Sequence, residues 1–273
     1  MRAVTDLPRP DRDRLSALGA LVLLAIGLVR VVDLPTLPLE FGLAGLVVRI
    51  EVNRAFILIV LASAVTIAGA DWLARTHPRG PRGAARLEPA IIPGLATLAA
   101  GAILTRVEAG PALWVGLILA AAMLMATLLA EFVVIDPEDP RRLAASIGLT
   151  ILAQVLLTFA FFALFGLGVR AFFAVPLSFA AAAAVSWRLL RLRVPESRPV
   201  LYAAAIGAAI AQLTWALYYL PLTAIQPALV LGLLAYVGIQ AVVSHLRQRL
   251  ATSRIVELGI IAGIGVTGVL VAA

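Results

Sequence analysis

The segment Glu131-Phe-Val-Val-Ile-Asp136-Pro-Glu138-Asp139-Pro-Arg141-Arg142 separates two long apolar runs and is the densest acidic cluster in the chain. It holds four of the 15 Asp and Glu residues. The runs before and after it, residues 113–135 and 143–165, each exceed the roughly 20 mostly apolar residues that a helix needs to cross a bilayer. They therefore predict two membrane spans joined by a short charged connection.

The composition of the whole chain extends this prediction. Of its 273 residues, 62% are hydrophobic and 14% are charged, and the mean hydropathy is +1.04. Soluble domains have a smaller apolar share and a larger charged share. We predict an all-α fold, a polytopic transmembrane helical bundle of eight or nine spans, with a cytoplasmic tail at residues 1–14 and one membrane domain at residues 15–273.

Nine apolar segments qualify as spans, and the last is just long enough. They cover about residues 15–32, 54–74, 88–106, 113–135, 143–165, 171–190, 200–219, 228–246 and 255–273. The third begins at Glu88-Pro89, because Pro is tolerated at the first helical position.

The connection at residues 34–53 breaks the apolar pattern. Apolar and polar side chains alternate from Val48 to Asn53 and again from Leu37 to Phe41, with Gly42 and Gly45 between the two stretches. A period of two is typical of β-strands. We predict a short β-hairpin on the outer membrane surface, with an irregular loop as the alternative.

The arginines determine the predicted orientation. All 22 basic residues are Arg, and all but five lie in the alternate connections that include the N-terminal tail. The positive-inside rule therefore places the N-terminus in the cytoplasm and, if the ninth segment spans, the C-terminus outside. The arginines form short clusters between apolar runs, so the net charge of +7 indicates a lipid bilayer as partner and no nucleic acid.

The Asp-Pro pairs of the acidic segment have a structural interpretation. Asp139-Pro140 is typical of an N-cap followed by Pro at the first helical position. Asp136-Pro137 is typical of the end of a helix, because the residue before Pro avoids helical geometry. Helix capping is therefore the favoured role of both aspartates.

A metal site for a lipid-pyrophosphate substrate is the alternative. Carboxylates offer the oxygen ligands that Mg²⁺ prefers, and Asp136-x-x-Asp139 looks like the first aspartate motif of the intramembrane prenyltransferases. Those enzymes also carry a second aspartate-rich motif on another inner loop. The corresponding loops here hold Arg191, Arg193 and Glu196 and no Asp, so we predict no metal ion.

Two further carboxylates lie inside predicted helix ends. Glu131 lies about one turn, roughly 6 Å, from the end of its helix, and Asp71 lies four residues before Arg75. A charge this shallow can reach the interface or pair with an arginine. Structural ion pairs are the favoured interpretation, with a proton relay as the alternative for Glu131.

Polar residues are few within the apolar segments. Gln154, Gln212 and Gln240 lie near the middles of three predicted helices. They favour hydrogen bonds between neighbouring helices, and a shared polar spot on a substrate pathway is the alternative. The candidate functional or structural polar residues are therefore Asp71, Glu131, Asp136, Asp139, Arg141, Arg142, Gln154, Gln212 and Gln240.

Small residues spaced four apart predict close helix packing. The two pairs are Gly207 with Ala211, and Gly259 with Gly263. The sequence leaves open whether the second pair faces its own bundle or a partner chain.

Three stretches together resemble a family of bacterial multi-spanning proteins that is classified only as a domain of unknown function. They are residues 69–78 (GADWLARTHP), 130–142 (AEFVVIDPEDPRR) and 217–222 (LYYLPL). The resemblance covers roughly residues 54–246 and implies a bacterial cytoplasmic (inner) membrane location. The family has no assigned activity, so it implies no catalytic residues.

The residue types also limit the possible functions. The chain has no Cys, no Lys and two His, which excludes thiolate metal sites and Schiff-base cofactors. We expect no cofactor and no catalytic residue. The leading hypothesis is a non-enzymatic structural or accessory subunit of an inner-membrane assembly that contacts other membrane subunits. A carrier of a small or lipidic molecule is the second hypothesis, and a lipid-modifying enzyme is the third.

Overall fold

A computed structural model describes residues 11–31, 37–43, 46–52, 54–80, 83–108, 110–194, 199–247 and 252–271. The chain divides into two compact units, residues 1–145 and residues 146–273. Most of the predicted N-terminal tail, residues 1–10, lies outside the described residues. The prediction of a single membrane domain stays a prediction.

The first unit is built from helices and one pair of strands. In chain order its elements are α1 (Arg12–Val31), β1 (Leu37–Leu43), β2 (Leu46–Val52), α2 (Arg54–Ala74), a 3-10 helix (Gly83–Ala90), α3 (Ile91–Leu104) and α4 (Pro111–Val134). The core lies among α1, α2, α3 and α4, where Leu18, Val22, Leu124 and Leu128 are buried.

The first residues of α1 and α3 differ from the predicted ones. At each of these positions, the start of the helix depends on a side-chain bond or a tight turn. The structure begins α1 at Arg12, three residues before the predicted start, because the Asp11 carboxylate accepts the backbone N–H of Asp13 at 3.0 Å. Pro89 lies inside the 3-10 helix and not at the first position of α3. The helix α3 begins at Ile91, two residues after the proline that the sequence places at its first position.

The two strands pair in an antiparallel arrangement. Leu37 lies opposite Val52, and Leu43 lies opposite Leu46. The connection between them, residues 44–45, lies outside the described residues. A location on the outer membrane surface stays a prediction for this strand pair.

Small and hydroxylated residues bring α2 and α3 close together. The Ser63 hydroxyl donates to the carbonyl of Gly94 at 2.9 Å, and the hydroxyls of Thr66 and Thr97 lie 2.9 Å apart. A Cβ on Gly94 would lie 2.7 Å from the side chain of Ile67. The glycine therefore permits the close approach that these hydrogen bonds require.

The described residues of the second unit form helices and the short connections between them. The helices are α5, which begins before the unit boundary (Arg142–Gly166), α6 (Ala171–Arg193), α7 (Val200–Tyr218), α8 (Ile225–Leu246) and α9 (Thr252–Val271). The structure begins α8 three residues before the predicted start. In the turn at this start, the side chain of Gln226 accepts the backbone N–H of Thr223 at 2.8 Å.

The two small-residue pairs have different surroundings. A Cβ on Gly207 would lie 2.9 Å from both the carbonyl oxygen of Phe179 and the Cβ of Ala183, so this glycine packs tightly against α6. Its neighbour Ala211 is buried. No other described residue lies within 4 Å of a Cβ built on Gly259 or Gly263. The first pair therefore serves the chain's own packing, and the second is open.

Among the described residues, seven helices are long and apolar enough to cross a membrane. Their spanning segments are Ile57–Ala74, Leu87–Leu104, Pro111–Val134, Arg142–Gly166, Ala171–Arg193, Val200–Tyr218 and Ile225–Leu246. These seven correspond to the second to eighth predicted spans. The first and ninth predicted spans coincide with α1 and α9, and their crossing of the membrane stays a prediction.

Candidate functional site

The chain leaves α2 through a tight turn that positions two functional side chains. The backbone N–H of Gly80 donates to the carbonyl of His77 at 2.8 Å. A Cβ on Gly80 would lie only 2.6 Å from the carbonyl oxygen of Ala74, a distance that real Cβ atoms do not reach. Glycine is therefore required for this turn, which directs His77 and Arg79 towards the end of α4.

His77 is buried at the end of α4, with 4% of its surface exposed. Its ring meets the ring of Phe132 edge to face, with centroids 4.8 Å apart. Its Nδ1 accepts the backbone N–H of Arg79 at 3.1 Å. Because Nδ1 is an acceptor, this arrangement requires the neutral imidazole.

Arg79 joins the turn after α2 to the acidic segment after α4. Its guanidinium donates to Asp136 and, at 3.0 Å, to Glu138. The hydrogen bond to Glu138 and the charge of Asp136 raise the pKa of Arg79. We call His77, Arg79, Asp136 and Glu138 the Arg79 cluster. It connects two of the three stretches that carry the family resemblance.

The two aspartates of the acidic segment cap backbone turns. Asp136 is buried, and its carboxylate also accepts the backbone N–H of Glu138 at 3.0 Å. Asp139 accepts the backbone N–H of Arg141 at 2.8 Å, and the guanidinium of Arg141 donates to both of its carboxylate oxygens at 3.1 and 2.8 Å. The bond from the Arg141 backbone closes a turn just before α5, which begins at Arg142. Pro140 is therefore not at the first position of that helix, where the sequence predicts it. Both carboxylates are neutralised by arginine.

Glu131 is buried near the end of α4. Only 3% of its surface is exposed, and it lines a cavity of about 10 Å³ together with Leu73, Pro89 and Phe132. That volume is the size that holds one water molecule. Glu131 therefore lies beside a space for a single water.

Asp71 and Arg142 occupy helix ends. Arg75 donates to the Asp71 carboxylate, one helical turn away, as the sequence predicts. Arg142 begins α5, and its Nε is buried with no hydrogen-bond partner among the described residues.

The three glutamines do not form a shared site. Gln154 donates to the carbonyl of Gly232 on α8 at 2.6 Å, and Gln240 accepts from Arg193 on α6 at 2.7 Å. Gly232 and Gln240 are eight residues apart, about 12 Å along the helix. Gln212 is exposed on α7. The two bonded glutamines thus connect neighbouring helices, as the favoured interpretation predicts.

Several participants were not predicted from the sequence. His77 and Phe132 lie in the stretches that carry the family resemblance, and Arg79 directly follows the first stretch. No local pattern marks these three residues as partners. Thr97 forms a buried hydrogen bond with Thr66. The only feature of the sequence that indicates this bond is a single hydroxyl side chain within an apolar run. Among the described residues, no group of three His, Asp or Glu side chains is arranged to hold a metal ion.

These features describe a helical protein in whose described residues seven helices are long and apolar enough to cross a membrane. The chain matches a family described as protein of unknown function (DUF5656) over residues 34–272, and it belongs to that family. The prediction of an uncharacterised family is confirmed, and the match extends beyond residues 54–246 to the strand pair and α9. No curated protein and no solved structure matches the chain.

Replacing Asp136 tests the Arg79 cluster. We expect Asp136→Ala to lower the free energy of unfolding by about 1 to 2 kcal/mol, because the backbone N–H of Glu138 and the guanidinium of Arg79 both lose an acceptor. Titration with a denaturing detergent would measure it. Glu138→Ala is the control and should have little effect, since that side chain is 64% exposed. Equal losses in both variants would contradict the assigned role of Asp136.

The stability should also depend on pH through His77. Burial lowers the pKa of His77 below its usual 6.5 and is the largest effect. The negative charge of Asp136 raises this pKa, the positive charge of Arg79 lowers it, and the negative charge of Asp139 raises it. The unfolded chain then binds a proton that the folded chain does not, so stability is complete above pH 6.5 and falls as the pH drops below it.

Unfolding midpoints measured between about pH 5 and 8 would show this dependence. His77→Gln should abolish it, whereas His245→Gln, which removes the exposed second histidine, should retain it. The pKa of Asp139 is lowered below 3.8 by the hydrogen bond from Arg141, so its contribution is lost only in stronger acid. An unchanged slope in His77→Gln would refute the assignment to His77.

Proposed function

We propose that this chain is a non-enzymatic, structural or accessory subunit of a bacterial inner-membrane assembly. One observation carries the proposal: at least six of the nine candidate polar side chains are bonded to other residues of the chain. Arginines neutralise Asp71, Asp136 and Asp139, and Gln154 and Gln240 bond to neighbouring helices. Polar groups used in this way fix helix positions.

The proposal includes nine spans, with the N-terminus in the cytoplasm and the C-terminus outside. It is supported by the length of α1 and α9, 20 residues each, and by the arginine distribution. The chain has no Cys, so single cysteines report position without further changes. On intact cells, Glu108→Cys and Ala273→Cys should react with a membrane-impermeant thiol reagent, whereas Thr5→Cys should not. Protection of Ala273→Cys would show that α9 does not cross.

Isolation of the assembly tests the subunit role. The full chain, expressed at its natural level and extracted in mild detergent or native lipid particles, should be recovered with the same companion membrane chains in repeated preparations. Mass spectrometry identifies them. An unrelated polytopic protein expressed at the same level is the control, and companions common to both are discounted. Repeated recovery of the chain alone would refute the proposal.

A further inference from the structure

Two arginines of the second unit differ in their partners from three arginines of the first unit. In the first unit, Arg75, Arg79 and Arg141 each donate to a carboxylate. In the second unit, the side chains of Arg193 and Arg247 bond to neutral oxygens. Within the described residues, neither makes an ion pair. The two groups of arginines therefore differ in whether their charge is compensated.

Arg193 is held at the end of α6 by an amide. Its side chain is half-buried, and its Nη1 donates to the side-chain oxygen of Gln240 on α8 at 2.7 Å. An amide oxygen orients a guanidinium but carries no net charge. A charge removed from water is stabilised when a counter-ion accompanies it. This site therefore favours an anion.

Arg247 brings a second cation to the same place. Its Nη2 donates to the backbone carbonyl of Arg193 at 2.8 Å. That carbonyl belongs to the last residue of α6, where the helix leaves its carbonyls without internal partners. The bond holds Arg247 beside Arg193 although their charges repel. An anion between them would remove the repulsion.

We propose that Arg193 and Arg247 form a binding site for the phosphate of an anionic phospholipid headgroup. A guanidinium has five N–H donors in a planar fork that matches phosphate oxygens. The bonds to Gln240 and to the Arg193 carbonyl use one donor on each side chain. The remaining donors bind phosphate oxygens, and Gln240 positions the fork of Arg193.

The location of the pair favours a lipid over a soluble phosphate. The spanning segments of α6 and α8 end at Arg193 and Leu246, so both arginines lie where a spanning helix meets the headgroups. Basic pockets between spanning helices at the cytoplasmic side bind phosphate headgroups. This step rests on the membrane orientation proposed above.

Lipid retention by the full chain tests the site. Native mass spectrometry would follow the bound fraction of phosphatidylglycerol and, separately, of phosphatidylcholine added to the purified protein in detergent. The wild type should retain phosphatidylglycerol selectively. The double variant R193Q/R247Q should lose about tenfold in its affinity. R193K/R247K, which keeps both charges, should lose less.

The matched control removes the same charge elsewhere. R106Q/R170Q neutralises two arginines whose side chains are exposed at the opposite helix ends, and it should retain the lipid as the wild type does. Equal losses in both double variants, or equal retention of the two lipids by the wild type, would overturn the site. The single variant Arg247→Gln removes an exposed side chain and leaves the bond between Arg193 and Gln240 intact. It should therefore remain folded and still show a reduced affinity for phosphatidylglycerol.

Inorganic phosphate distinguishes the lipid from a soluble source. Saturating inorganic phosphate should leave retention of phosphatidylglycerol unchanged, because the lipid is also held by its acyl chains. Displacement of the lipid by phosphate would overturn the assignment to a lipid. Cysteine labelling of the same variants separates the two proposals, since retained lipid selectivity in R193Q/R247Q with intact topology refutes only this site.

Discussion

Phe132→Ala is expected to cause the largest loss of stability in the first unit, about 3 to 5 kcal/mol in the free energy of unfolding. The side chain is 3% exposed and supports the ring of His77. Its removal would also enlarge the cavity beside Glu131, which Phe132 already lines. The expected result is therefore both lost packing and a loosened Arg79 cluster. Denaturing-detergent titration of the purified full chain measures it.

Two companion variants separate packing from other causes. Phe132→Leu preserves most of the volume and should cost less than about 1.5 kcal/mol. Phe172→Ala removes the same ring from a position that is 79% exposed, and it should leave the unfolding midpoint close to that of the wild type. A midpoint for Phe132→Ala equal to that of Phe172→Ala would contradict the assigned packing role.

Gly207→Ala is expected to have the largest effect in the second unit, about 2 to 3 kcal/mol. The added Cβ would lie 2.9 Å from the carbonyl oxygen of Phe179. Because that atom belongs to the helix backbone, α6 and α7 must separate to admit the methyl group. The separation would disturb every contact between the two helices, and it should appear as a lower midpoint in thermal and detergent unfolding.

Gly148→Ala is the matched control for this substitution. Gly148 is exposed on α5, and no other described residue lies within 4 Å of a Cβ built there. Alanine is the better helix former by about 1 kcal/mol, so this variant should be neutral or slightly stabilised. A loss equal to that of Gly207→Ala would mean that glycine itself, and not helix contact, matters.

Helix positions were largely predictable from the sequence, because a span is defined by a continuous apolar run. The predicted segment 54–74 coincides with α2, and 171–190 lies within α6. The starts of α1 and α8 were placed three residues late. The Asp11 carboxylate caps α1, and a turn in which Gln226 accepts the backbone N–H of Thr223 leads into α8. The apolar pattern reports neither interaction.

The candidate site was only partly predictable. The Asp-Pro pairs indicated capping by Asp139, and the spacing of four residues indicated the pair of Asp71 and Arg75, since both interactions are local in sequence. Arg79 was missed because its carboxylate partner at Asp136 is 57 residues away. Partners so far apart meet only when two helix ends pack together.

The sequence by itself determined the family, the helical class and most helix limits, because composition and local spacing can be read from residues that are close together in the sequence. Only the tertiary structure decided which arginine meets a carboxylate and which meets a neutral oxygen. That choice depends on how helices rotate and approach one another. For this reason Arg79 meets two carboxylates, whereas Arg193 meets the amide oxygen of Gln240.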